Sequence, residues 1–147
     1  AVYSVFDLLY QGYTEQRRTF LKKHGRVSEY DSENLLHAVI QKILQKAEFS
    51  FVDCAAHVSL INLVKDYSML SEEETAYARN PLTHVDFLLF RRMDKSPLLA
   101  VEVDGTVFHA AGSIQAGRDE KKDRIFERCG IPLLRFRTDG SGERGRI

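Results

Sequence analysis

A chain of 147 residues, 44% hydrophobic and 29% charged, suits one compact domain with a sizeable core, and its composition excludes disordered, coiled-coil and collagen-like chains. Twenty-one basic side chains balance twenty-one acidic ones, so a nucleic-acid partner must be held by a local basic patch and not by the field of the whole molecule. No apolar run approaches the roughly 18 residues of a membrane helix and no secretory leader opens the chain, so a soluble, intracellular (cytoplasmic) protein with no membrane partner is expected.

The opening stretch, to about Lys23, spaces Val5, Phe6, Leu8, Leu9 and Tyr10 as an amphipathic helix and stops at His24-Gly25, where glycine takes a left-handed cap. Residues 1–27 are expected to form a linker helix from an upstream domain, and 28–147 the domain proper. A second helix is expected from Asp31, a good N-cap, to about Lys46, with Leu35/Leu36, Val39/Ile40 and Ile43/Leu44 at helical spacing. Phe49 to Val52 and His57 to Val64 read as strands. Ser71-Glu72-Glu73-Glu74 carries a capping box for a short helix ending at Asn80-Pro81, which reads as an insertion.

Thr83 to Arg91 and Leu98 to Asp104 are β-rich runs joined by the Met93-Asp94-Lys95-Ser96 turn, an antiparallel hairpin. Helical patterning follows from Arg118 to Arg128, ends at Gly130, and gives way to a strand over Pro132 to Arg137. The order predicts a mixed α/β domain in which the last helix is a crossover between strands. Cys54 and Cys129 match no paired metal motif or disulfide framework and read as reduced packing residues.

The hairpin carries the chemistry. Asp86, Glu102 and Asp104 interrupt runs that are otherwise apolar on both faces, the pattern of strands covered on both sides. A turn centred on Asp94 sets Asp86 opposite Glu102 and His84 opposite Asp104, on one face of strands about 4.8 Å apart. Crowded carboxylates repel, burial makes their ionisation costly, and a hard divalent ion such as magnesium would compensate them. Taken singly, Asp86 and Glu102 read better as partners of an arginine or lysine and Asp104-Gly105 as a strand-ending turn, but three acids on one face would need three well-placed cations. Glu33 extends the stripe of Leu36, Ile40 and Ile43 toward the same locus, although a first-turn acid also suits the helix dipole. Lys122 shares a stripe with Ile125, Phe126 and Cys129 and should hang near Glu102; the alternative is a lysine snorkelling at the core edge. Gln115, two turns earlier, and His109 are possible accessory residues, or ordinary loop positions.

An acid on a helix, then Asp86, a turn, Glu102-Val103-Asp104 on the next strand, and a crossover helix and strand resembles the PD-(D/E)XK nuclease superfamily. Val101-Glu102-Val103-Asp104-Gly105 with His109, then Arg118-Asp119, Lys122-Asp123 and Gly130-Ile131-Pro132-Leu133-Leu134-Arg135-Phe136, looks like the branch related to very-short-patch-repair endonucleases. Nuclease-like domains at the C-termini of superfamily 1 helicases are similar over nearly the whole chain, including Ser28-Glu29-Tyr30-Asp31-Ser32-Glu33-Asn34 and Thr138-Asp139-Gly140-Ser141-Gly142-Glu143.

The resemblance implies a restriction-endonuclease-like mixed β-sheet flanked by helices. It makes Asp86 and Glu102 metal ligands, with Asp104 as a further candidate, and Glu33 the helix-borne acid of the site. The lysine of the usual Glu-x-Lys is Asp104 here. Lys122 then takes over from the crossover helix, or Asp104 is another ligand, or cleavage has been lost. The expected function is magnesium-dependent DNA hydrolysis, with manganese as substitute, Lys122 orienting water or countering charge on phosphorus. Arg118, Arg135 and Arg137 are candidate phosphate contacts, with Arg144 and Arg146 as a basic tail, though each suits a solvated surface equally. An attached or associated helicase is the expected partner. The rival is a noncatalytic nucleic-acid or protein-interaction module on the same fold.

Overall fold

The computed structural model describes residues 2–26, 28–103 and 114–136, with the backbone alone at 2–4, 29, 114–116 and 118. Along the chain it runs α1 (Val2–His24), α2 (Glu29–Leu44), β1 (Val52–Ser59), α3 (Glu72–Arg79), β2 (His84–Arg91), β3 (Pro97–Val103), α4 (Ile114–Cys129) and β4 (Leu133–Phe136), with short 3-10 turns before and after β1. The four strands form one mixed sheet in chain order. β1, β2 and β3 are antiparallel neighbours, and β4 returns through α4 to lie parallel to β3. The mixed α/β class and the crossover agree with the sequence pattern.

Helices cover both faces, which is why β2 and β3 are apolar on both. On one side Leu9 and Tyr13 of α1 and Leu36, Ile40 and Ile43 of α2 pack on Phe87, Leu89, Leu99, Val101 and Phe136. On the other, Ile125 and Phe126 of α4 and Ala78 of α3 pack on Val85, Leu88 and Ala100. The helix α1 packs into the core: Tyr10 and Tyr13 set their rings against Phe136, with centroids 6.2 and 5.1 Å away. Gly12 lets α1 lie close against α2, since a Cβ there would meet Val39 Cγ1 at 2.8 Å.

Other local readings shift. Ser28, not Asp31, is the N-cap of α2; Asp31 is the third helical residue, and the two form a reciprocal capping box. The two short strands read over Phe49–Val52 and His57–Val64 are one strand, because Val52 to Ser59 pairs along β2, while Leu60–Asn62 curls into a 3-10 turn. The turn between β2 and β3 closes through Arg91 and Ser96, with the Asp94 carboxylate accepting from the Ser96 backbone N–H at 3.0 Å. Gly130 ends α4 at φ +72°, the left-handed cap expected of it.

The capping box of α3 does more than start a short helix. Glu74 accepts from the Ser71 N–H at 3.0 Å and is also gripped by Arg124 at 3.0 Å and Arg128 at 2.9 Å, one turn apart on α4. Its carboxyl, 3% exposed, is held down at a pKa of about 2, by the backbone hydrogen bond first and then by the two guanidinium groups, against the cost of burial. The segment read as an insertion is thereby pinned to the crossover helix. Because the folded pKa lies below the unfolded value, this contribution is complete above about pH 4.5 and fades as pH falls toward 2. Glu74→Gln is expected to cost about 2 kcal/mol at pH 7 and little near pH 2, as read by urea unfolding at the two pH values.

Candidate functional site

Side-chain alternation along β1 and β2 reverses at one point. Cys54 and its partner Leu89 face the α1–α2 layer, whereas Val58 and its partner Val85 face the α3–α4 layer. Between them stand His57 and Asp86, which the register sets opposite each other but which the ladder skips. His57 takes φ +53°, a left-handed conformation that costs a non-glycine residue about 1 kcal/mol. His57→Gly is expected to raise stability by about 0.5 kcal/mol, the relieved strain exceeding the extra freedom of the unfolded chain. Denaturant titration reads this directly, and a loss of stability would mean that the imidazole itself holds the strands.

Asp86 sits at the reversal with its Oδ2 accepting the Val103 N–H at 2.8 Å, so its side chain reaches across to the end of β3. Its carboxyl is raised to a pKa of about 6, chiefly by burial and further by the negative charges of Glu102 and Glu33; the Val103 hydrogen bond and Lys122 only partly oppose this. On β3, Glu102 shares the α4-facing side with Ala100. Lys122 of α4 donates from Nζ to Glu102 Oε2 at 2.6 Å and to the His84 carbonyl at 2.9 Å, tying the crossover helix to both hairpin strands. Glu102 Oε1 accepts from Arg135 Nη2 at 3.2 Å, and Arg135 Nη1 donates to Asp123 at 2.8 Å. All three groups of this network on Glu102 are nearly buried, with side-chain exposures of 10% for Glu102, 12% for Lys122 and 11% for Arg135.

The structure thus gathers Asp86, Glu102, Lys122 and Glu33, four of the residues singled out in the sequence. Lys122 points inward as its helical spacing requires. Glu33 stands beside His57, its Oε1 lying 3.4 Å from Nε2, and its charge reaches Asp86. Arg135, a candidate phosphate contact by sequence, is engaged inside the protein: parallel pairing sets it beside Glu102, where burial works against its charge but Glu102, Asp123 and Asp119 more than offset this and raise its pKa. Gln115 and Arg118 lie on α4, with side chains outside those described, and Asp104, His109, Arg137, Arg144 and Arg146 lie outside the described residues.

Two histidines complete the locus. The rings of His57 and His84 are 5.3 Å apart, and one ligand atom each from His57, His84 and Asp86 all lie within 4.8 Å of one another. His84 is visible in the sequence as a neighbour of Asp86, but His57 carries no spacing signal, because its approach depends on the reversal of β1. The site opens onto a polar cleft of about 490 Å³ lined by His84, Glu102, Lys121 and Lys122 together with Tyr77 and Asn80 of the α3 end. Elsewhere, Cys54 is a free thiol pushed up to a pKa of about 12 by burial and by Asp53. Among the described residues no helix is long and apolar enough to cross a membrane.

Neither the curated proteins nor the solved structures contain a match to this chain. A profile described as "Protein of unknown function (DUF2726)" matches residues 29–147, from the start of α2 through both hairpin strands and the crossover helix to the last residue, so the chain belongs to that family.

Proposed function

We propose that this domain is a DNA phosphodiesterase of the PD-(D/E)XK kind, with Asp86, Glu102 and Lys122 at its centre and Glu33 beside them. The observation that carries the reading is the position of Lys122 Nζ, 2.6 Å from Glu102 and 2.9 Å from the His84 carbonyl, where its charge also reaches Asp86. A lysine from the crossover helix thereby occupies the neighbourhood that the usual Glu-x-Lys lysine would fill. The order of helix, three antiparallel strands, crossover helix and parallel strand supports a restriction-endonuclease-like fold.

A divalent ion fits at Asp86. Its carboxylate is half-buried among other negative charges and accepts from the Val103 backbone N–H, without the two cations that compensate Glu102. When bound, such an ion supplies Lewis acidity toward a phosphate oxygen and acidifies a neighbouring water. Asp86 would hold it, with Glu102 as the adjoining carboxylate. Lys122 keeps a positive charge at the cleft, where negative charge develops on phosphorus, and Lys121 on the cleft wall offers a phosphate contact. Delivery to DNA by an attached or associated helicase belongs to the same proposal and rests on the sequence resemblance.

The test is incubation with supercoiled, linear and single-stranded DNA in the presence of magnesium or manganese. Cleavage is expected, abolished by Asp86→Asn and slowed about 100-fold or more by Lys122→Ala. No cleavage of any of the three DNAs, or equal cleavage by the Asp86→Asn protein, sinks the reading. A second reading, a noncatalytic binding module, is favoured by one observation: both oxygens of Glu102 already meet cations of the protein's own. DNA retention without cleavage is its signature.

A further inference from the structure

We propose that His57, His84 and Asp86 form a binding site for a first-row transition-metal ion of the zinc class. The proposal deepens the reading above by naming a nitrogen-ligated ion for the same centre, and rests on that reading only for what the ion then does. Three potential ligand atoms lie within 4.8 Å of one another, a spread that one ion can draw together.

The surroundings prepare both imidazoles. His84 Nδ1 is 3.0 Å from the Leu82 carbonyl oxygen. That carbonyl can only accept, so Nδ1 carries the proton and Nε2 keeps its lone pair for a metal. His57 Nε2 is 3.4 Å from Glu33 Oε1, which leaves Nδ1 as its ligand atom. A carboxylate or carbonyl on the far nitrogen of a ligating histidine is the arrangement that orients imidazoles at metal sites. The strained backbone of His57 is accounted for as well, because the left-handed residue turns an edge-strand histidine toward Asp86 across the strand pair. Two imidazoles and one carboxylate favour zinc-class ions over magnesium, which demands an oxygen shell. Glu102, engaged by Lys122 and Arg135, need not give up either partner.

The experiment uses the metal-stripped chain titrated with zinc by calorimetry, with cobalt absorption reporting nitrogen ligation and magnesium as comparator. Expected are one ion per chain and zinc binding about 100-fold or more tighter than magnesium. His57→Asn, which tolerates the left-handed backbone, and His84→Ala should each weaken zinc about 10-fold or more, while His24→Ala leaves it unchanged. Circular dichroism checks that each variant is folded. Zinc binding unaltered by both site substitutions, magnesium binding as tight as zinc, or no saturable one-to-one binding overturns the proposal. Histidine-dependent zinc binding in a protein that cuts no DNA supports it while ending the nuclease reading. Zinc binding unaltered by both histidine substitutions, in a protein whose magnesium-supported cleavage also survives them, ends this inference and leaves the nuclease reading in place.

Discussion

Replacing Glu102 by alanine is expected to destabilise the domain by about 3–5 kcal/mol, the range for stranding a buried charge. The carboxylate is the shared partner of Lys122 at 2.6 Å and Arg135 at 3.2 Å, and both cations are close to nine-tenths buried. Once it is gone, Arg135 keeps Asp123, but of its two hydrogen bonds Lys122 keeps the one to the His84 carbonyl, with the more distant Asp86 charge, too little to hold a desolvated ammonium. For a domain of this size the loss corresponds to a fall in Tm of roughly 10 °C. Glu102→Gln keeps the shape and some of the hydrogen bonding and should lose about 2 kcal/mol. Thermal and urea unfolding of the two variants measure this; a loss below about 1 kcal/mol for the alanine variant would show that water reaches both cations. Cleavage assays on Glu102 variants therefore belong well below the melting transition, where lost chemistry is separable from lost fold.

The Asp86→Asn protein should behave in the opposite way. In the metal-free state it is expected to be more stable than the parent by about 2 kcal/mol at pH 7.5. Asp86 has a folded pKa of about 6, above the ordinary aspartate value, because burial, Glu102 and Glu33 disfavour its charge. A carboxyl with a raised folded pKa binds its proton more tightly in the native state. Its penalty is therefore absent near pH 4, grows as pH rises toward 6, and is complete above that. Asparagine removes the charge and keeps an oxygen to accept the Val103 N–H. The gain should vanish at pH 4 and shrink when a divalent ion is added, because ion binding stabilises the aspartate form alone. Equilibrium unfolding across that pH range decides it, and an asparagine protein less stable at pH 7.5 would show that Asp86 is already compensated. Stability rising as the proposed cleavage disappears is the trade-off expected where a carboxylate is kept charged for function.

These two residues were legible for the same reason, as acids inside runs apolar on both faces. Covered strands have no use for charge unless something meets it, so Asp86 and Glu102 stood out without any knowledge of their neighbours. Lys122 was legible from helical periodicity, since the stripe holding Ile125 and Phe126 had to face the sheet. Which cation meets which acid was not legible. Arg135 reads as surface when taken alone, and only the parallel register of β3 and β4 sets it beside Glu102. Arg124 and Arg128 read as ordinary helix charges until α3 docks a buried glutamate between them.

Local pattern by itself determined the mixed α/β class, the hairpin, the crossover helix with its glycine stop, and the acidic locus on β2 and β3. Those features depend on periodicity and turn chemistry, which act over a few residues. Tertiary structure alone decided that α1 belongs to the core, that β1 is one strand, and that His57 turns to face Asp86. It also decided that Glu102 is balanced by two cations while Asp86 is not. Each of these rests on contacts between segments distant in the chain, and on a backbone reversal at His57 whose local cost is met only by the strands packed around it.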